Sequence, residues 1–240
     1  MFGLTRLSPI QIVVLLLIGF VLLGAPILGL LYNPQRFLAL IIALVVGITV
    51  HEAAHALVAV ALGDPTPRLM GRLSLNPLRH LDPIGSLALL VASFGWGKPV
   101  VFDPRRLRTD PRLGSALVAV AGPIANILMA LLAVVLLKNG SVALGEAGAQ
   151  VLQMLFAVNV GLAAFNLLPI PPLDGFGFVE NLLPKPLAAA LAPLVPYGPL
   201  VLLALIFLGP PLFHRDVLGE LLRPIQSTIV SLILAVPGVR

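Results

Sequence analysis

His51-Glu52-Ala53-Ala54-His55 sets two imidazoles four residues apart, with a carboxylate next to the first. On an α-helix residues four apart share a face, so both rings can hold one Zn²⁺ while Glu52 stands beside the water such an ion binds. That is equipment for metal-assisted hydrolysis, in which the metal acidifies a water and the carboxylate takes its proton. With only four His in 240 residues, the pattern would arise in about one of a thousand shuffled chains of this composition. It also lies within Phe37 to Leu62, an apolar stretch long enough to cross a bilayer. Ionisable side chains there cost about 2.5 to 3.5 kcal/mol each on insertion scales, whereas zinc with its full ligand set returns on the order of 10 kcal/mol. The competing reading is a polar helix face satisfied by neighbouring helices.

Two His do not complete a catalytic zinc site, which takes three protein ligands and keeps an open position. Cysteine is absent, so the third ligand comes from His80, His214 or a carboxylate: Asp64, Asp82, Asp103, Asp110, Glu146, Asp174, Glu180, Asp216 or Glu220. Asp174 differs from the rest because it ends Asn166-Leu167-Leu168-Pro169-Ile170-Pro171-Pro172-Leu173-Asp174-Gly175, directly after an apolar span. Three prolines and a glycine break a helix and let an Asp turn inward at membrane depth, where irregular backbone is tolerated if it lines a cavity. On its own such a stretch is also an ordinary turn. Its pairing with the His motif singles it out.

The elements that must position these residues are membrane-spanning helices. The chain is 59% hydrophobic and 10% charged, with a mean hydropathy of +1.07, and cannot be packed as a water-soluble domain. An all-α polytopic membrane protein of a single domain, 1–240, is expected. Apolar windows give spans at 10–32, 37–62, 113–137, 147–168 and 187–208. Val217 to Val236 carries Glu220, Arg223 and Pro224 and is read as a sixth span, with an interfacial helix as the alternative. Ile84 to Phe94 is too short to span and reads as re-entrant. The first span has only Arg6 before it and no small-x-small cleavage site, so an uncleaved anchor is expected.

Of the fifteen Lys and Arg, eight (Arg68, Arg72, Arg79, Lys98, Arg105, Arg106, Arg108 and Arg112) fall between the second and third spans. The positive-inside rule then puts this 63–112 loop and the amino terminus in the cytoplasm, for a protein of the plasma membrane. Basic residues here meet anionic headgroups; no aromatic interleaving suggests nucleic acid.

The His motif, the Asn166-to-Gly175 segment and Gly122-Pro123-Ile124-Ala125-Asn126 together resemble the signature of the site-2 protease family of intramembrane zinc metalloproteases, peptidase family M50. Asn76-Pro77-Leu78-Arg79-His80-Leu81-Asp82-Pro83-Ile84-Gly85 and Phe94-Gly95-Trp96-Gly97-Lys98-Pro99 are similar to segments of its compact bacterial members. The resemblance covers a core of about 38–179, leaving accessory helices at 1–37 and 180–240. It implies zinc held by His51, His55 and Asp174, Glu52 as catalytic acid/base, and a transmembrane protein substrate in the lipid bilayer. A compact member without the PDZ or CBS domains of larger relatives is expected.

The tetrahedral oxyanion needs a donor besides the metal, and Asn126 is the candidate, with Asn166 second; the rival role for each is a helix-packing hydrogen bond. A transmembrane substrate must unwind before it is cut, so something must hold the unwound strand. Arg68 to Leu75 partly alternates, with Leu69, Leu73 and Leu75 on one side, as an edge strand or short β-hairpin after the second helix would. His80 and Asp82 are expected to shape a turn, His80 with an outside chance of reaching the metal. A non-proteolytic metal-binding scaffold or a metal transporter is the alternative; neither needs Glu52 beside the paired His.

Overall fold

Helix α1 (Pro34–Ala61) starts where Asn33 accepts the Arg36 N–H on its side-chain oxygen at 2.9 Å. Its buried residues include Ala39, Ala43, Gly47, His51, His55 and Ala59, one every fourth position. Such a stripe runs along one face of a helix, and its small members let a neighbouring backbone come close. The histidine pair therefore continues a helix-packing seam. The computed structural model describes residues 29–83, 85, 97–208 and 214–239.

α1 packs mainly against α3 (Pro111–Asn139) and α4 (Leu144–Asn166). Asp110 caps α3 by accepting the N–H groups of Arg112 and Leu113, both at 3.0 Å. Gly145, at φ +65, breaks the helical run between α3 and α4. The two then fold together, with Ala130 of α3 packed among Val160, Ala163 and Ala164 of α4. Ile229 and Ile233 of α7 (Val217–Ala235) join that cluster. α5 (Asp174–Leu182) follows the proline-rich turn, and α6 (Lys185–Leu208) is interrupted by a tighter turn at Ala192–Tyr197.

Five of these helices, α1, α3, α4, α6 and α7, are long and apolar enough to cross a membrane, and no more than 33% of the most apolar window of any of them is buried. Leu132, Leu136, Phe207 and Leu232 stand exposed on their outer faces. So much outward apolar surface requires lipid as its solvent. The expected spans at 37–62, 113–137, 147–168, 187–208 and 217–236 each have a helix; the span at 10–32 lies almost wholly outside the described residues, as does most of the re-entrant stretch 84–94.

The stretch from Arg68 to Leu75 does not form an edge strand. Asp64 Oδ1 accepts the Thr66 N–H at 3.0 Å and its hydroxyl at 2.6 Å, Pro65 and Pro67 fix their own φ, and residues Thr66–Leu69 wind into a single helical turn, α2. Gly71, at φ +69, then turns the chain. Among the described residues, β pairing is confined to an antiparallel bridge between Leu81 and Gly97; most of the connection between these two lies outside them.

Candidate metal centre

The seam of α1 delivers His51 and His55 to the junction of α3 and α5, and Asp174 arrives as the first residue of α5. His51 Nε2, His55 Nε2 and Asp174 Oδ2 converge: 3.1 Å between the two nitrogens, 3.1 Å from His51 to Asp174 and 3.4 Å from His55 to Asp174. Zinc–ligand bonds of about 2.0 to 2.1 Å in a tetrahedron place neighbouring ligand atoms about 3.3 Å apart, so these spacings match one face of such a site.

The hydrogen bonding behind the rings decides what the three atoms are. His55 Nδ1 donates to the Val118 carbonyl at 2.6 Å, which fixes that ring's hydrogen on Nδ1. His51 Nδ1 lies 2.6 Å from Asn126 Oδ1, and Asn126 Nδ2 faces the Gly47 carbonyl at 3.1 Å. A carbonyl only accepts, so Asn126 turns its NH₂ to Gly47 and its oxygen to His51, and His51 also holds its hydrogen on Nδ1. Both Nε2 atoms are then lone pairs. Asp174 Oδ2 is buried without a hydrogen-bond partner. The short His–Asp contacts are thus three electron pairs aimed at one point, unfavourable without a cation and suited to a divalent one. These residues fit zinc, with the second ring nitrogens anchored as metal-bound histidines require.

α3 can lie this close because position 122 carries no side chain. A Cβ on Gly122 would fall 2.5 Å from His51 Cε1 and 2.7 Å from its Nδ1. A cavity of about 840 Å³ opens from the centre, lined by Glu52, Phe165, Asn166 and, from the loop after α2, Gly97, Val100 and Phe102. Gly97 lies against Glu52: a Cβ there would sit 3.0 Å from Glu52 Oε1. The loop is pinned by Lys98 N–H to the His80 carbonyl at 2.6 Å, Arg72 Nη2 to the Pro99 carbonyl at 3.0 Å and Asp103 N–H to Asp64 Oδ2 at 2.7 Å. Arg72 also donates to the Arg79 carbonyl.

The other candidate ligands are outside the His51, His55 and Asp174 group: Glu180 lines the same cavity without joining it, and Asp82 accepts the Gly85 N–H at 2.8 Å. His80 is fully buried, with Nε2 donating to the Ser74 carbonyl at 2.7 Å, and is not part of the His51, His55 and Asp174 group. Asp64, Asp103, Asp110 and Asp216 accept backbone N–H groups at turns and helix starts, Glu220 pairs with Arg215, and His214 and Glu146 are exposed. Of the two asparagines considered for the oxyanion, Asn166 lines the cavity, whereas Asn126 is fully buried behind His51. Asn159, which the sequence reading did not single out, is fully buried beside Asn126. Its signal was a polar amide within an apolar span.

The fold and this centre define a membrane-embedded metallopeptidase, and comparison with known proteins agrees. The family model for Peptidase family M50 matches residues 139–206. “Putative zinc metalloprotease YwhC” of Bacillus subtilis is 38% identical over 214 residues, covering 86% of this chain and 96% of that protein. “Putative zinc metalloprotease Rip2” of Mycobacterium tuberculosis (strain H37Rv) is 35% identical over 184 residues, 73% of this chain and 69% of that protein; its Mycolicibacterium smegmatis namesake is 33% identical over 178 residues, 71% and 67%. No solved structure matches the chain. The chain belongs to peptidase family M50, the site-2 protease family. It is a membrane zinc metalloendopeptidase.

Proposed function

We propose that the chain hydrolyses peptide bonds in or near the transmembrane segments of membrane-bound substrates. The observation that carries this reading is the convergence of His51 Nε2, His55 Nε2 and Asp174 Oδ2 beside Glu52 inside a wall of membrane-spanning helices. His51, His55 and Asp174 are the zinc ligands. When bound, zinc supplies Lewis-acid polarisation of the scissile carbonyl and acidification of a water. Glu52 takes the proton from that water and passes it to the leaving amine. Asn166, which lines the cavity and gives one amide hydrogen to the Leu162 carbonyl at 3.0 Å, donates the other to the oxyanion in this reading. Asn126 holds His51 from behind.

The unwound substrate lies along the loop at 97–102. The backbone groups of Val100, Val101 and Phe102 make no hydrogen bond with the described residues, and Val100 and Phe102 face the cavity. A substrate strand pairing there gains main-chain bonds in place of those it gave up on unwinding. The basic loop 63–112 and the amino terminus are cytoplasmic, in a plasma-membrane protein.

Cleavage of a transmembrane substrate in liposomes by wild type and by Glu52→Gln, with zinc assayed on both, tests this reading. The variant keeps its zinc and loses at least about a hundredfold in rate. Equal cleavage by both, or zinc flux without cleavage, overturns it in favour of a scaffold or transporter.

A further inference from the structure

We infer that Asn159 is a positioning residue that, through the Asn126 amide, fixes which nitrogen of His51 carries hydrogen and so leaves Nε2 free for the metal. One chain of hydrogen bonds links α4, α3 and α1. Asn159 Nδ2 lies 2.8 Å from the Leu155 carbonyl, one turn back on its own helix. That carbonyl only accepts, so the Asn159 group facing it is the NH₂, and its oxygen faces the other way. The oxygen meets Asn126 Nδ2 at 2.7 Å. Both hydrogens of that amide are then engaged, one by Asn159 and one by the Gly47 carbonyl at 3.1 Å. The only group Asn126 has left to offer His51 is its Oδ1, at 2.6 Å from Nδ1.

Every link has one polarity because the chain is anchored at two backbone carbonyls, Leu155 and Gly47. An Asn126 amide turned over would point its NH₂ at His51, move the ring hydrogen to Nε2 and remove the lone pair from the metal face. The Gly47 bond alone resists that turn with one contact, and Asn159 adds the shorter second one. The three side chains are packed away from water: Asn126 and Asn159 are 0% exposed and His51 is 7% exposed. In such surroundings a reversed amide leaves buried groups unpaired, which costs more than in solvent.

The inference rests on His51 being a zinc ligand and not on the substrate, so its test is made without proteolysis. Nitrogen-15 NMR of the four ring-labelled histidines in the metal-free protein reports the tautomer, and competition with a chelator reports zinc affinity. Wild-type His51 carries its hydrogen on Nδ1. Asn159→Leu raises the zinc dissociation constant about tenfold or more and lets Nε2–H appear, while circular dichroism of the metal-free variant stays that of wild type. Asn159→Asp, which at this depth takes a proton and again offers an oxygen to Asn126 and a hydrogen to Leu155, stays within about threefold of wild type. An Nε2–H tautomer in the wild type, a folded Asn159→Leu with unchanged affinity, or an Asn159→Asp as weak as the Leu variant overturns the assignment. Should Asn159→Leu not fold, the wild-type tautomer and Asn159→Asp decide. A ligand set that fails is told apart by His51→Ala: unchanged zinc affinity there sinks the role of His51 itself.

Discussion

Gly122 of α3 lies directly against the imidazole of His51, so close that a Cβ would stand 2.5 Å from His51 Cε1. The contact ties a residue with no chemistry of its own to the geometry of the centre. Gly122→Val drives the two histidines off their shared face and weakens zinc by more than about tenfold. Chelator competition in detergent measures it; affinity equal to wild type in a folded Gly122→Val would show that the seam tolerates more movement than this packing allows.

Asp174→Asn separates function from stability. Asp174 Oδ2 has no hydrogen-bond partner to lose, and an amide in its place donates to an Nε2 lone pair. Zinc affinity falls at least about tenfold, while the thermal midpoint of the metal-free protein stays level or rises, as for a site held in a destabilised arrangement for function. Calorimetry with and without chelator checks both.

Arg112 holds the far end of the helix that Asp174 begins. Its Nη2 donates to the Glu180 carbonyl at 3.0 Å and to that of Leu183, at the carbonyl end of α5 where a cation is favourable. Arg112→Met removes charged hydrogen bonds of about 1.5 to 3 kcal/mol together and lowers turnover by letting α5 shift, with Arg112→Lys recovering part of it. Unfolding midpoints and kcat read the two effects.

The loop beside Glu52 is tethered through Asp64, which joins the end of α1 to Thr66 and Asp103. Burial pushes the Asp64 carboxyl up, but hydrogen bonds from the Thr66 hydroxyl, the Asp103 N–H and the Thr66 N–H outweigh it and hold it below the ordinary carboxylate range. A folded-state pKa below the unfolded one gives stability that is present above about pH 4 and fades as pH falls through the folded value. Asp64→Asn therefore lowers the thermal midpoint at neutral pH by a few degrees, and the gap to wild type narrows below about pH 4. A gap that widened on acidification would contradict this.

The class of fold and the chemical motif were legible because each has a strong local signal. Apolar windows locate the spans, and His51 and His55 reveal themselves by spacing alone. Asp174 was legible through its broken backbone, although only the fold could show Oδ2 meeting two nitrogens 123 and 119 positions away along the chain. The partly alternating Arg68 to Leu75 misled, since Asp64, Pro65 and Pro67 impose a helical turn that period-two patterning does not register. Asn159 stayed hidden because its role depends on an amide of another helix and a carbonyl of its own. Polarity along such a chain of bonds exists only in three dimensions.

Zinc K-edge X-ray absorption on the zinc-loaded protein tests the identity of the three ligands. One zinc per chain is predicted, with imidazole scattering from two rings and a carboxylate oxygen at about 2.0 to 2.2 Å, and one imidazole fewer in His55→Ala. A spectrum without imidazole scattering, or one unchanged in His55→Ala, would contradict the centre described for His51, His55 and Asp174.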